Sequence, residues 1–346
     1  MKIMHVLQSP FFSGAENVAC QIIEMFRDSE YEMAYCSPDG PIREAVEKRG
    51  IRFIPLAAIN VRNLRKAIRC YKPDIIHAHD RKASICAAIA CGLPVVSHIH
   101  VNNPHVGRFD AKSWIYSLFG YRFKHIFWVS KSAFVDFPYM RESMRKKSTV
   151  LYNVIDIEKL KRRAAEDEQS YSFDAVMVGR LNDQKDPIRA LRVIKKVISM
   201  NDSARFGIVG AGPLENQVAE ELKKEEYKSR VRYLGYMDNP LKVLRDAKAL
   251  LMTSRFEGTP MTVLEAMALG VPVVSTPVDG ILDLIRDGEN GYLSNDDDVL
   301  AEKLNELIKN SELREKLSAQ SGRTAEKLMD IWAYKEKLAA VYSGCR

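Results

Sequence analysis

The chain has 346 residues, 46% of them hydrophobic, and a formal net charge of +7. That length predicts two domains of about 170 residues, each able to bury a core. No run of eighteen apolar residues is present, which argues against a membrane-spanning helix. No zinc-finger spacing, RNA-binding aromatic motif or long basic run points to nucleic acid.

The first residues, Met1 to Leu7, read as a strand rather than a signal peptide. Apolar runs at 3–7, 32–36, 51–56, 74–78, 94–99, 125–129 and 149–152 read as strands. Helical patterns fall between them, at 15–26, 42–48, 64–70 and 82–91. Such alternation predicts a parallel sheet covered by helices on both faces. Residues 156–170 are highly charged and read as a linker. A second series of strands follows at 174–178, 205–209, 231–234, 249–252, 271–275 and 291–293, and residues 296–346 are nearly all helix-compatible. The fold class expected is α/β, two doubly wound Rossmann-like domains facing a central cleft, since such sheets bind ligands beyond the carboxyl ends of their strands. The six cysteines form no C-x-x-C pair and read as reduced thiols of a cytosolic protein.

Charge is uneven. Residues 1–170 carry 26 Lys+Arg against 18 Asp+Glu, while residues 171–346 carry 26 against 27. Residues 108–147 hold eleven aromatics, nine Lys+Arg and three acids. Two readings stand for that stretch: a basic, aromatic face toward an anionic membrane surface, or aromatics filling a helix–sheet interface.

The most informative segment runs from Ser254 to Val274. An apolar strand ends, Glu257-Gly258-Thr259-Pro260 breaks it, and a helix-forming run from Thr262 to Leu269 follows. Gly270 then stands where a helix-terminating glycine belongs. A loop entering a helix offers free N–H groups and the positive end of the helix dipole, here around Met261, Thr262 and Val263, and both suit phosphate. Glu265, about one turn into the helix, can accept hydrogen bonds from a pair of sugar hydroxyls. Glu257 on the loop can meet a second sugar. Upstream, Val178 to Asp186 reads V-G-R-L-N-D-Q-K-D. Gly179 lets the backbone turn, and Arg180 and Lys185 supply fixed cations for a diphosphate leaving group. Gly210 and Gly212 (G-A-G-P) again follow a strand, without the full dinucleotide fingerprint. Tyr236 and Met237 follow the next one.

These motifs resemble family-4 glycosyltransferases of the GT-B fold. The E-x7-E pair Glu257 and Glu265, the flanking E-G-x-P and E-A-M-A-x-G-x-P-V-V, the G-R-L-x-x-x-K element and the G-x-G-P turn carry the resemblance over essentially the whole chain. It implies that Arg180, Lys185, Met261, Thr262 and Val263 hold the donor diphosphate. It implies that Glu265 holds the ribose, that Glu257, Gly258, Thr259 and Pro260 hold the donor sugar, and that Gly179, Gly210, Gly212, Tyr236 and Met237 line the nucleotide pocket. In the first half, S-G-A-E at Ser13–Glu16 resembles the family's G-G-A-E loop, which places Gly14 at the diphosphate. His100 takes the family's position at the sugar side. With Glu257 it is a candidate catalytic residue, able to hydrogen-bond the donor sugar or the reacting centre. His77, His79 and His98 alternate on strand ends, yet the resemblance implies no metal and no other cofactor.

The implied division is 1–160 for acceptor binding, 161–325 for the nucleotide sugar, and 326–346 as a last helix crossing back to the first domain or packing on its own. The implied activity is retaining transfer of a hexose from a UDP-sugar to a hydroxyl of a glycan or lipid-linked acceptor in surface-polysaccharide or glycolipid assembly. GDP- and ADP-sugars are the alternative donors. The protein is expected in the cytoplasm or peripherally on the inner face of the plasma membrane. Two alternatives remain: another GT-B enzyme such as a nucleotide-sugar epimerase or a phosphorylase, and a non-catalytic nucleotide-sugar-binding subunit. No lysine stands in a context that marks it for the pyridoxal phosphate of a phosphorylase.

Overall fold

The computed structural model describes residues 1–100 and 110–345. Thirteen strands are formed among them: β1 Lys2–Val6, β2 Glu32–Pro38, β3 Phe53–Leu56, β4 Ile75–Ala78, β5 Val95–Ile99, β6 Phe123–Trp128, β7 Ser148–Val150, β8 Ala175–Val178, β9 Phe206–Val209, β10 Val231–Gly235, β11 Ala249–Met252, β12 Val273–Ser275 and β13 Gly291–Leu293. Each falls within or beside a predicted run.

The strands make two wholly parallel sheets, ordered β3-β2-β1-β4-β5-β6-β7 and β10-β9-β8-β11-β12-β13. Both reverse direction between their first and fourth strands, which is the topological switch of a doubly wound sheet. Their inner strands are mostly buried because helices cover both faces, whereas the edge strands β7 and β10 expose Thr149 and Arg232. In the second sheet one face buries Val176, Leu250 and Val273, and the other buries Met177, Ile208 and Leu251.

The chain divides into two compact units, Met1–Asn153 with Trp332–Arg346, and Val154–Ile331. The boundaries expected at 160/161 and 325/326 are thus displaced. The charged stretch 156–170 is no linker at its start. Asp156 caps a helix, Ile157–Ala165, by accepting from the Lys159 N–H at 2.8 Å. That helix buries Leu160 and Ala164 in the core of the second unit, and its charges are only the outer face of an amphipathic stripe. The last helix, Ile331–Ser343, buries Tyr334, Leu338 and Tyr342, and the Tyr342 hydroxyl meets His77 Nδ1 of the first unit at 2.7 Å. None of the described helices is long and apolar enough to cross a membrane.

Candidate functional site

In the second unit the loops after β8 and β11 lie side by side, because those strands are neighbours at the switch point. Their tips are tied together. The Arg255 N–H donates to the Gln184 carbonyl at 2.8 Å, and the Thr253 hydroxyl donates to the Asp186 carbonyl at 2.9 Å. Arg255 Nε donates to Asp186 Oδ2 at 2.9 Å. Asp186 takes a left-handed φ of 47° and caps the helix Pro187–Met200 with its other oxygen. An aspartate tolerates that conformation better than most residues.

This lacing brings Lys185 and Glu257 together. Their Nζ and Oε1 atoms are 2.7 Å apart, and both side chains are largely buried. Gln184 Nε2 donates to the Phe256 carbonyl at 3.1 Å and to Glu257 Oε2 at 3.4 Å. Both carboxylate oxygens of Glu257 are therefore held. The Lys185 stem runs over Gly179, where an added Cβ would stand 3.5 Å from its Cε.

Gly258, Thr259 and Pro260 are buried and lead into the helix Met261–Ala268. No side chain caps that helix. The N–H groups of Val263 and Leu264 are bonded to the Pro260 carbonyl. Those of Met261 and Thr262 have no acceptor among the described residues. Two N–H groups, rather than the three expected, thus remain for an anion at the positive end of the helix. Val263 instead fills the core with its side chain. One turn on, the Glu265 carboxylate makes no hydrogen bond among the described residues. Burial raises its pKa above the ordinary glutamate value, while Arg163 and Lys185 pull it back. Such a carboxylate gains from accepting paired hydroxyls.

Arg180 is exposed on the loop after β8 and makes no ion pair among the described residues. No hydrogen bond or ion pair joins it to Lys185 or Glu257 among the described residues. Gly210 and Gly212 support the same loop from beneath. A Cβ on Gly210 would overlap the Gly179 carbonyl oxygen, and one on Gly212 the Leu181 carbonyl oxygen. Tyr236 is 63% exposed just beyond β10. The Gly210 N–H bonds the carbonyl of Gly235, next to Tyr236, at 2.8 Å, so Tyr236 and Met237 border the same turn.

Three contributors went unnoticed in the sequence. Gln184 holds Glu257, and Arg163 is a cation near Glu265. Gly280 opens the short helix Asp279–Leu282, and a Cβ there would overlap the Gly258 carbonyl oxygen. The pattern V-D-G after β12 was the one local sign of that close approach.

Gly14 and His100 belong to the first unit. Gly14 is exposed at the start of the helix Gly14–Met25, and the preceding Ser13 hydroxyl donates to the buried Glu16. His100 follows β5 beside a cluster of imidazoles. Ring centroids of His98 and His100 are 4.2 Å apart, those of His77 and His79 4.4 Å, and those of His5 and His77 4.9 Å. Burial lowers the pKa of His5 and His100 to about 3 and holds those of His77, His79 and His98 well below the ordinary value. Within the basic, aromatic stretch, residues 108 and 109 lie outside the described residues. Beyond them both expectations find material. Phe123, Phe127 and Trp128 are core, whereas Trp114, Ile115, Tyr121 and Val135 are exposed among Lys112, Arg122, Lys124 and Lys131.

Residues 157–323 match the family described as Glycosyl transferases group 1, and residues 12–159 match Glycosyltransferase Family 4. The chain belongs to glycosyltransferase family 4. It is similar to the UDP-Gal:alpha-D-GlcNAc-diphosphoundecaprenol alpha-1,3-galactosyltransferase of Escherichia coli, 26% identical over 344 residues, which cover 86% of this chain and 85% of that enzyme. It is also similar to the poly(glycerol-phosphate) alpha-glucosyltransferase of Bacillus subtilis, 26% identical over 246 residues, or 68% of this chain and 36% of that one. Among solved structures, Anabaena Alr3699/HepE in complex with UDP superposes with a TM-score of 0.84 at 20% identity, covering 99% of this chain and 100% of the other. The family-4 chain thus has the GT-B fold of two Rossmann-like domains and is a glycosyltransferase using a nucleotide sugar.

Proposed function

We propose that the enzyme moves a hexose, with retention of anomeric configuration, from a UDP-sugar to a hydroxyl of a glycan or lipid-linked acceptor. The observation that carries this reading is the juxtaposition of the Lys185–Glu257 pair with the N–H groups of Met261 and Thr262 and the Glu265 carboxylate; those N–H groups and that carboxylate have no hydrogen-bond partner among the described residues. The N–H groups, Lys185 and Arg180 meet the diphosphate, whose charge needs no metal ion. Glu265 accepts from the ribose hydroxyls. Glu257, Gly258, Thr259 and Pro260 meet the donor sugar. Both Glu257 oxygens are engaged, which suits holding sugar hydroxyls better than attacking a carbon. Front-face displacement assisted by the leaving phosphate follows from that. Uridine is supported by the name of the Escherichia coli relative and by the UDP held in the HepE structure. The lipid-linked or polyol-phosphate acceptor class is supported by the names of the two relatives. The exposed Trp114, Ile115 and Tyr121 beside Lys112, Arg122 and Lys124 suit an enzyme that works peripherally at an anionic cytoplasmic membrane face.

The test is turnover of UDP-sugars by the full chain with EDTA and a panel of lipid-linked and polyol-phosphate acceptors, with the anomeric configuration of the product read by NMR. An α-linked product from an α-donor is expected. A β-linked product contradicts retention. Conversion of the nucleotide sugar without acceptor indicates an epimerase, and UDP binding without turnover a non-catalytic subunit.

A further inference from the structure

Five imidazoles meet in the first unit, where β1, β4 and β5 run side by side. His5 on β1 stands opposite His77 on β4 in the parallel register. His79 follows His77 by two residues, and His100 follows His98 by two, so each pair shares one face. In two trios, His5/His77/His79 and His79/His98/His100, one nitrogen from each ring lies within 4.8 Å of the other two. Hydrogen bonding accounts for only part of the cluster. His5 Nδ1 lies 2.9 Å from His79 Nε2, His79 Nδ1 lies 2.9 Å from His100 Nε2, and His77 Nδ1 lies 2.7 Å from the Tyr342 hydroxyl. His5 Nε2, His77 Nε2, His100 Nδ1 and both nitrogens of His98 are buried with no partner among the described residues.

A buried nitrogen without a partner is uncommon, and several in one cluster call for a use. A neutral imidazole has one lone pair and is the commonest protein ligand of a metal ion. The bonds already made show which nitrogens are on offer. His77 Nδ1 is taken by Tyr342 and His79 Nδ1 by His100, so each ring has Nε2 left, and His5 Nδ1 faces His79 Nε2. Two nitrogens on one tetrahedral zinc stand about 3.4 Å apart, given bonds of roughly 2.0–2.1 Å. That spacing falls between the 2.9 Å of the His5–His79 pair and the 4.8 Å bound on the trio. The contacts of His77 with Tyr342 and of His79 with His100 are then the outer hydrogen bonds that fix ring orientation and tautomer around a metal. In the other trio only His79 has such a contact, to His5.

We propose that His5, His77 and His79 bind one divalent transition-metal ion of the zinc class, which ties β1 to β4 and, through Tyr342, to the last helix. Three imidazoles without a carboxylate favour zinc, copper or nickel over magnesium or calcium. Burying the charge of the ion among neutral ligands is costly, and solvent bound at the fourth position as hydroxide halves that charge. The role is structural. All three ligands belong to the first unit, whereas the groups proposed to meet the diphosphate belong to the second. The nucleotide reading therefore does not depend on this ion, nor the ion on that reading.

The experiment is calorimetric titration of the chelator-stripped full chain with Zn2+, with Tm read beside it and Co2+ as a spectroscopic probe. One ion per chain, a Tm raised by Zn2+ and the visible bands of tetrahedral, nitrogen-bound Co2+ are expected. H77A should abolish binding. Y342F keeps the three ligands and removes the hydroxyl behind His77, so it should weaken binding about 10- to 100-fold. H125A, on β6 and outside the trio, should bind as wild type does. No binding by the folded wild type, or the bands of octahedral, water-ligated Co2+, overturns the site. Full affinity in H77A with loss in H98A overturns the choice of His5, His77 and His79. Should H77A not fold, Y342F decides, and unchanged affinity there overturns the site. UDP affinity should be equal with and without Zn2+. A dependence on Zn2+ overturns the structural role, whereas failure to bind UDP at all counts against the nucleotide reading alone.

Discussion

The two sheets share one strand order and set polar side chains beyond the carboxyl ends of their strands, yet those two regions use opposite chemistry. The second unit gathers formal charges, Lys185 on Glu257 and the Glu265 carboxylate, beside two N–H groups that have no acceptor among the described residues. The first unit gathers imidazoles that burial keeps neutral. A leaving diphosphate develops charge and needs fixed charge to meet it. A hydroxyl or ring oxygen of a sugar needs only an oriented donor. One topology thus carries an ion pair and a buried carboxylate in one unit and neutral imidazoles in the other.

The sharpest way to break this contrast is to remove charge from the second unit. K185A withdraws the cation that pairs Glu257 and that we propose meets the diphosphate. We expect kcat to fall roughly 100- to 1,000-fold, with a lower Tm because Glu257 keeps its burial without its partner. Normal turnover in K185A would remove the electrostatic account.

E265Q separates binding from stability. Loss of a charged acceptor for two hydroxyls should weaken UDP binding roughly 10- to 100-fold, worth about 1.5–3 kcal/mol. The sign for stability is opposite. A carboxyl whose folded pKa is raised binds more protons folded than unfolded. Its contribution therefore declines as pH rises from the ordinary glutamate value through the raised one. Above that window E265Q should melt at or above the wild-type temperature. Wild-type UDP affinity should weaken on acidification through the same window, and that of E265Q should not.

G280A tests the backbone that shapes the site. The new Cβ must displace the Gly258 carbonyl, at a cost of roughly 1–3 kcal/mol, seen as a lower Tm and a raised KM for the donor. The smallest effect lies on the exposed face of the first unit. Replacing Arg122 and Lys124 by Ser should weaken sedimentation with anionic vesicles at low salt by about 1 kcal/mol per charge. Equal binding to neutral vesicles would contradict an electrostatic surface.

Much of this was legible in the residues. All thirteen strands fall within or beside the expected runs, because inner strands buried on both faces are mostly apolar. Glu257, Glu265, Arg180 and Lys185 were legible because glycines and a proline punctuate their loops at strand ends. What stayed hidden needed three dimensions. Gly280 matters through an overlap with a residue 22 positions away. Gln184 matters because it bonds a loop 72 positions away. The helix Ile157–Ala165 was hidden by its own charges, since its buried stripe is narrow. The contacts of His5 with His79 and of His79 with His100 join the ends of three strands, and spacing within any one of them shows only a pair.

The central claim is that the crossed loops of the second unit hold a nucleoside diphosphate by their own charges and N–H groups. Calorimetric titration of the full chain with UDP in the presence of EDTA, for wild type, K185A and E265Q, tests it most directly. The account predicts metal-free binding by wild type and weaker binding by both folded variants. Binding that requires added metal, or that is unchanged in both variants, would contradict it.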